Sequence, residues 1–260
     1  MLFDKSRLSL ALAGWRAPLP ASLRPQIEWA TSSGLRCLTL NAAAADCRPR
    51  DLGRSARRDI AALVRRSSMS IAGVDLWLPP EHLTDPAHAD RALAALLDAV
   101  DLAADFEELS GGAEDSSAVL STALPDDAPS SLLSALRERA LARSVRLADH
   151  RWPAPKAESI EPPLLIGLDP ARMFISEGPK ADPAAAASRL GPLIASARLS
   201  DANSAGCCAV GALGTRLDVM AYLVALSTAG YRGPLVVDVR AVEGQERAIR
   251  AAVRAACVED

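Results

Sequence analysis

Three aspartates close short apolar runs in this sequence: Asp149 follows residues 145–148, Asp169 follows 164–168, and Asp238 follows 235–237. A carboxylate so placed either faces a pocket, where it can exchange protons with a bound molecule, or serves as a turn or helix-cap residue. Pro170, directly after Asp169, is compatible with both roles. Asp238 shares a strand face with Val236 and Arg240, so a structural pair with that arginine competes with chemistry. Beside Asp149 stands His150, one of three histidines and a side chain whose charge can change near neutral pH. Its plainer reading is a lone exposed imidazole; His82 reads as a loop residue and His88 as a helix-surface one. The tryptophans carry a further signal. Trp15, Trp77 and Trp152 each fall at or just beyond the end of a strand-like run, whereas Trp29 lies inside a helical one. Indole faces beside carboxylates and arginines suit the apolar faces and hydroxyls of a sugar ring, with packing under loops as the competing use.

Other chemistries lack their residues. Gly211 and Gly214 are only two glycines in a loop, short of a phosphate cradle. No Ser-His-Asp or Cys-His assembly emerges, and the five cysteines (Cys37, Cys47, Cys207, Cys208, Cys257) show no metal-ligand spacing. An odd set with an adjacent pair reads as reduced thiols, hence a cytoplasmic protein. A net charge of −3 gives no basic footprint for nucleic acid, and the arginines between 54 and 66 read as a solvated helix face. The apolar stretch 8–13 is far shorter than the roughly 20 residues of a membrane-spanning helix. Trp15-Arg16 follows it where a signal peptide would carry small residues.

The strand-end groups need a scaffold. Short apolar runs alternate with helical patterns along all 260 residues, the pattern of βα units and a parallel sheet. Strands are expected at 8–13, 35–40, 70–78, 118–123, 145–149, 164–169, 194–200 and 235–239, and helices at 22–33, 55–67, 85–105, 130–143, 217–229 and 244–257. Gly34 stops the first helix, Asp85 and Pro86 open the third as cap and first-turn proline, and the Gly- and acid-rich stretch 106–117 reads as a loop. Pro153, Pro155, Pro162 and Pro163 exclude a regular helix after strand five, so that helix is reduced or missing. Aromatics are 3% of residues against 50% hydrophobic, so the core rests on Ala, Leu and Val. With no shift in composition, residues 1–260 are expected to form one α/β domain, a (β/α)8 TIM barrel with its site at the C-terminal mouth.

Several segments, in order and spacing, resemble the xylose isomerase-like barrel family of sugar and sugar phosphate isomerases and epimerases. Asp85-Pro86-Ala87-His88-Ala89-Asp90-Arg91-Ala92 looks like the family's third helix, and Ile166-Gly167-Leu168-Asp169 like its sixth strand. Ala197-Arg198-Leu199-Ser200-Asp201 matches its His-Leu-Lys-Asp segment with Arg and Ser substituted. Val210-Gly211 through Arg216-Leu217-Asp218, then Gly230-Tyr231-Arg232-Gly233-Pro234 running to Val239, resembles its C-terminal signature. The likeness spans the chain and is strongest in the last third.

That resemblance implies a divalent cation such as Mn or Mg, held by acidic residues ending strands five, six and eight and by a histidine on strand seven. The matching positions are Asp149, Asp169, Asp238 and, in place of the histidine, Arg198. Arginine does not deprotonate and cannot be a ligand. Two unit charges ~4 Å apart at an effective dielectric of ~20 interact by ~4 kcal/mol, so a dication would meet roughly twice that repulsion. The reading is substitution: Arg198 supplies the cation and neutralises the carboxylates, so neither metal nor another cofactor is expected. A second family histidine, three residues after the strand-six Asp, is Arg172 here. With so few histidines, the trinuclear zinc site of the related abasic-site endonucleases is excluded.

The resemblance implies a sugar or sugar phosphate isomerase or epimerase acting by proton transfer next to a carbonyl. Asp149 and Asp238 would be the acid/base pair, Asp169 would join them, and Arg198 would stabilise the enediolate. Trp15, Trp77, His150, Trp152 and Arg240 would contact a small carbohydrate. The alternative is an inactive barrel that binds a carbohydrate or a protein partner. Neither a nucleic acid nor a membrane is expected as partner, and the sequence does not set the oligomeric state.

Overall fold

The computed structural model describes residues 5–16, 22–111 and 118–257. Its first seven strands are β1 (Leu8–Ala11), β2 (Cys37–Asn41), β3 (Ser70–Asp75), β4 (Ala118–Thr122), β5 (Val145–Asp149), β6 (Leu164–Leu168) and β7 (Ile194–Leu199). A short antiparallel hairpin, β8 (Asp201–Asn203) and β9 (Gly206–Cys208), precedes β10 (Leu235–Val237). β1–β7 and β10 pair in parallel and close into a barrel, β10 lying between β7 and β1. Around it run α1 (Leu23–Ser32), α2 (Arg54–Arg66), α3 (Ala89–Ser110), α4 (Ser130–Ala142), α5 (Pro170–Glu177), α6 (Pro183–Leu190), α7 (Val219–Thr228) and α8 (Gln245–Ala256). The fold is the expected (β/α)8 barrel.

Strand alternation decides what each face carries. Leu8, Leu10, Leu38, Leu40, Leu120 and Leu147 point outward and join one core with Ile27, Leu96 and Leu136 of the helices. Burying each such leucine stabilises the fold by roughly 1.5–3 kcal/mol. The alternate residues point inward: Ser9 and Thr39 hydrogen-bond at 3.0 Å, and Val119, Ala148, Leu165 and Ala195 form a separate small cluster. Toward the C-terminal ends of the strands the same inward positions become charged.

The proline-rich stretch after β5 holds no α-helix, only the 3-10 turn Ala157–Ser159, as its prolines require. Three details differ from the sequence reading. Asp85 does not cap α3; its carbonyl accepts from the amides of His88 and Ala89 and its side chain from Ala87, closing a turn so that the helix starts at Ala89. α3 then continues through 106–110, because Phe106 is buried beneath it, and ends at Gly111 in the left-handed region (φ 71°). The remainder of the expected loop, 112–117, lies outside the described residues. Finally, two short helices, α5 and α6, fill the β6–β7 connection, each opened by an Asp-Pro pair: Asp169 accepts from Arg172 N and Asp182 from Ala185 N. Among the described residues no helix is long and apolar enough to cross a membrane.

Candidate functional site

Inward alternation at the ends of β3, β7 and β10 brings Asp75, Arg198 and Asp238 together in the barrel. Arg198, fully buried, donates from both terminal nitrogens to Asp75, at 2.6 and 3.1 Å, and lies 3.7 Å from Asp238. Its Nε has no partner among the described residues. One step toward the mouth, Arg240 grips Asp238 through Nε, at 2.9 and 3.0 Å, and a terminal nitrogen at 2.8 Å. The same nitrogen reaches Asp169 at 3.3 Å. Asp169 also accepts from Ser200 Oγ at 2.6 Å, so the carboxylate that caps α5 is tied to the end of β7. The result is a chain of alternating charge, Asp75–Arg198–Asp238–Arg240–Asp169, running from the barrel interior to its rim.

Aromatic rings line one side of this chain. Trp77, beyond the end of β3, has the Arg240 guanidinium 3.7 Å from its ring centroid and that of Arg198 at 5.4 Å. His150 stands edge-on to Trp77, centroids 5.3 Å apart, and is buried with neither ring nitrogen hydrogen-bonded among the described residues. It fits only because residue 167 on β6 is glycine: a Cβ there would sit 2.1 Å from His150 Cδ2.

Burial and charge set the protonation states. His150 is held well below its ordinary value by burial first and then by Arg198, Arg240 and Arg172, so the imidazole is neutral. Burial alone would raise Asp238, but Arg240 and Arg198 more than offset it and the carboxyl is lowered. For Arg198, burial opposes the charge, and Asp75 and Asp238 reverse that, leaving it firmly protonated.

At the rim a cleft of about 170 Å³ opens among Asp169, Arg172, Ser200, Asp238 and Arg240, with Cys207 of the β8–β9 hairpin on its wall. Asp201 anchors that hairpin and the following loop, accepting from the amides of Ala202, Arg216 and Leu217.

Of the sequence-derived candidates, the structure gathers Asp169, Arg198, Asp238, Arg240, Trp77 and His150. Asp149 is not among them. It alternates outward from β5, accepts from the amides of Leu124 and Arg151, and pairs with Arg151 Nε at 2.8 Å, so it does not face Asp238. Burial raises its carboxyl despite those contacts. Trp15 turns to the helix layer, its ring 5.1 Å from Trp29. Trp152 lies on the loop after β5 and donates to Glu177 at the end of α5, 2.7 Å away. The expected gathering of three indoles reduces to Trp77. His150 is the converse correction: not an exposed imidazole but a buried one. The sequence reading missed Asp75, although the signal was there: a lone charge flanked by Val74 and Leu76 must find a partner when that strand is buried.

The donor set does not fit a divalent cation. Both oxygens of Asp75 accept from Arg198, both of Asp238 from Arg240, and those of Asp169 from Ser200 and Arg240. Among the described residues no group of three or more His, Cys, Asp or Glu is disposed to hold a metal ion.

No protein-family model and no curated protein matches this sequence. Solved structures do. A xylose isomerase domain protein from Planctomyces limnophilus superposes with a TM-score of 0.68 at 17% identity, covering 95% of this chain and 93% of that one. A D-psicose 3-epimerase with D-tagatose, from Clostridium cellulolyticum H10, gives 0.67 at 14% identity over 96% and 95%. A sugar phosphate isomerase/epimerase from Parabacteroides distasonis gives 0.65 at 11% over 98% and 96%. The chain therefore has the xylose isomerase-like barrel fold. At such identities the likeness extends to the fold alone.

Proposed function

We propose that this protein is a metal-independent barrel of the xylose isomerase-like fold that binds a small polyhydroxylated molecule at its mouth without turning it over. The observation that carries this reading is Arg198, fully buried and bidentate to Asp75 where the resemblance places a metal-ligating histidine. A metal offers open positions to substrate oxygens, whereas this guanidinium spends its terminal donors on protein carboxylates. The groups left for proton transfer are poorly suited to it. Asp149 faces away, Asp238 is lowered and so a weak base, and His150 does not line the cleft. The cleft, at about 170 Å³, is small beside the ~300 Å³ at which ligand pockets usually begin, so a molecule held there leaves part of its surface in solvent. Its carboxylates and guanidiniums suit hydroxyl groups, and the epimerase with D-tagatose makes ketohexoses the first ligands to screen. We place the protein in the cytoplasm, because an odd set of cysteines with an adjacent pair, Cys207-Cys208, makes a poor disulfide framework.

The second reading, isomerase or epimerase turnover, draws on Asp169 and Asp238 both lining the cleft. Incubation with free and phosphorylated sugars in D2O, with the sugars then resolved by chromatography, separates the two. Proton abstraction next to a carbonyl introduces deuterium where the proton exchanges with solvent and yields an isomer or epimer where it does not. The expected result is neither deuterium uptake nor an isomer or epimer above the blank for sugars that bind. Either signal, if it disappears in Asp238→Asn, would overturn the proposal in favour of turnover.

A further inference from the structure

A groove separate from the mouth cleft opens between the β2–α2 loop, the segment after β3 and the first turns of α3, with a volume of about 430 Å³. α3 presents one face to it: Arg91, Ala95 and Asp98 recur at helical spacing behind the cap residue His88. Opposite, the 3-10 turn Pro49–Asp51 and the residue before it carry Arg50 and Arg48. The floor is apolar, formed by Leu76 and Leu78 beyond β3 and by Ala42 beyond β2. His82, in the 3-10 turn Pro80–Leu83, lies against His88 with ring centroids 4.7 Å apart.

Charge in this groove is not balanced from within. Arg48 and Arg50 both lean on one carboxylate, Asp51, at 3.4 and 3.8 Å. Asp85 stands 3.9 Å from His88. No hydrogen bond or ion pair joins Arg91 to another described residue. Among the lining residues three guanidiniums thus face one carboxylate, Asp98, with Asp51 and Asp85 at the margin, over an apolar floor. Guanidiniums hold phosphate and carboxylate groups bidentately, and a groove of this volume lies in the range of small-molecule sites.

We infer that this groove binds an organic anion, its phosphate or carboxylate held by Arg91 together with Arg48 or Arg50. A small apolar or aromatic body lies over Leu76 and Leu78 beside the two imidazoles. The inference is independent of what occupies the barrel mouth.

The test is calorimetric titration of the full chain with phenyl phosphate, benzoate, inorganic phosphate and benzyl alcohol, to millimolar concentration. At least one of the two aryl anions is expected to bind saturably, more tightly than inorganic phosphate, which lacks the apolar body, and than benzyl alcohol, which lacks the charge. Preference between phenyl phosphate and benzoate then identifies the anionic group. Arg91→Ala should weaken that binding at least ten-fold, and the double variant Arg48→Gln/Arg50→Gln should weaken it too, providing a second readout should either variant fold poorly. Arg172→Ala, at the mouth, should leave it unchanged. Three results would each overturn the inference: neither aryl anion saturates, benzyl alcohol binds as well as they do, or both groove variants bind like wild type.

Discussion

Replacing Arg198 by methionine removes the positive charge at the barrel centre while keeping most of the side chain's bulk. Arg198 and Asp75 are both 0% exposed, and their bidentate contact at 2.6 and 3.1 Å satisfies both carboxylate oxygens of Asp75. Without the guanidinium, Asp75 remains as a buried carboxylate stripped of the partner that satisfied both its oxygens. Breaking a buried pair from one side costs about 3–5 kcal/mol. At about 2–4 °C per kcal/mol for a chain near this size, the melting temperature should fall by roughly 6–20 °C. Asp75→Asn alone should also destabilise, because it strands the arginine between Asp238 and a neutral amide. The double variant Arg198→Met/Asp75→Asn should be more stable than the sum of the two losses implies, with a coupling energy of about 2 kcal/mol. Urea denaturation followed by far-UV circular dichroism measures all four corners of this cycle. If Arg198→Met lies within about 1 kcal/mol of wild type, or the two single losses simply add, the pair does not organise the barrel centre and the reasoning fails.

Further outcomes follow from neighbouring contacts. The folded state keeps His150 neutral well below the ordinary value of 6.5, so at lower pH the unfolded chain takes up the proton first. Stability should therefore be flat above that pH and decline below it by up to about 1.4 kcal/mol per pH unit; denaturation of wild type against His150→Gln isolates the effect, and parallel curves would refute it. Gly167→Ala should destabilise by about 1–3 kcal/mol through overlap with the imidazole, and by clearly less in a His150→Ala background; equal losses in both backgrounds would show that the histidine is not the obstacle. Arg198→His should raise Mn or Co affinity by exchanging a charge for a ligand beside Asp75 and Asp238, and titration calorimetry showing no gain in a folded variant would count against the substitution reading. A sugar bound at the mouth should alter Trp77 fluorescence and spare the Trp15–Trp29 pair, so a response that survives Trp77→Phe would place the ligand elsewhere.

The barrel was legible because its signals are local and repeated: each strand is a short apolar run, and each helix has a periodic face. The helix missing after β5 was legible too, since four prolines write it directly into the chain. α5 and α6 were written as well, in Asp169-Pro170 and Asp182-Pro183, but Asp85-Pro86 shows that the same pair also makes a plain turn. Only packing chooses between those outcomes. Site residues were harder for a geometric reason. The resemblance pointed to Asp149, but a strand-end side chain faces in or out according to alternation, and one residue's difference hands the inward position to His150. Trp15 and Trp152 failed in the same way: being near the end of a strand does not fix which side of the barrel wall an indole takes. Asp75 lies 123 positions from Arg198, and no local pattern links them. Only closure of the barrel brings β3 across from β7.

The order of charges along the barrel axis also separates structural from ligand-facing groups. Arg198 lies deepest, with its terminal donors on Asp75 and its Nε unpartnered among the described residues; nothing in that geometry presents it to the cleft, whose lining does not include it. Arg240 is different. Its side chain is 21% exposed, it lines the cleft, and it covers Trp77 at 3.7 Å while bridging Asp238 and Asp169. A ligand hydroxyl that takes over one of those carboxylate contacts would release the guanidinium from the indole without uncovering the buried pair beneath. The deep arginine is enclosed with its carboxylate partner, and the rim arginine is the one that a ligand in the proposed site would reach. On the proposed function, adjustment at the mouth would run through Arg240 and Trp77, above the buried Arg198–Asp75 pair.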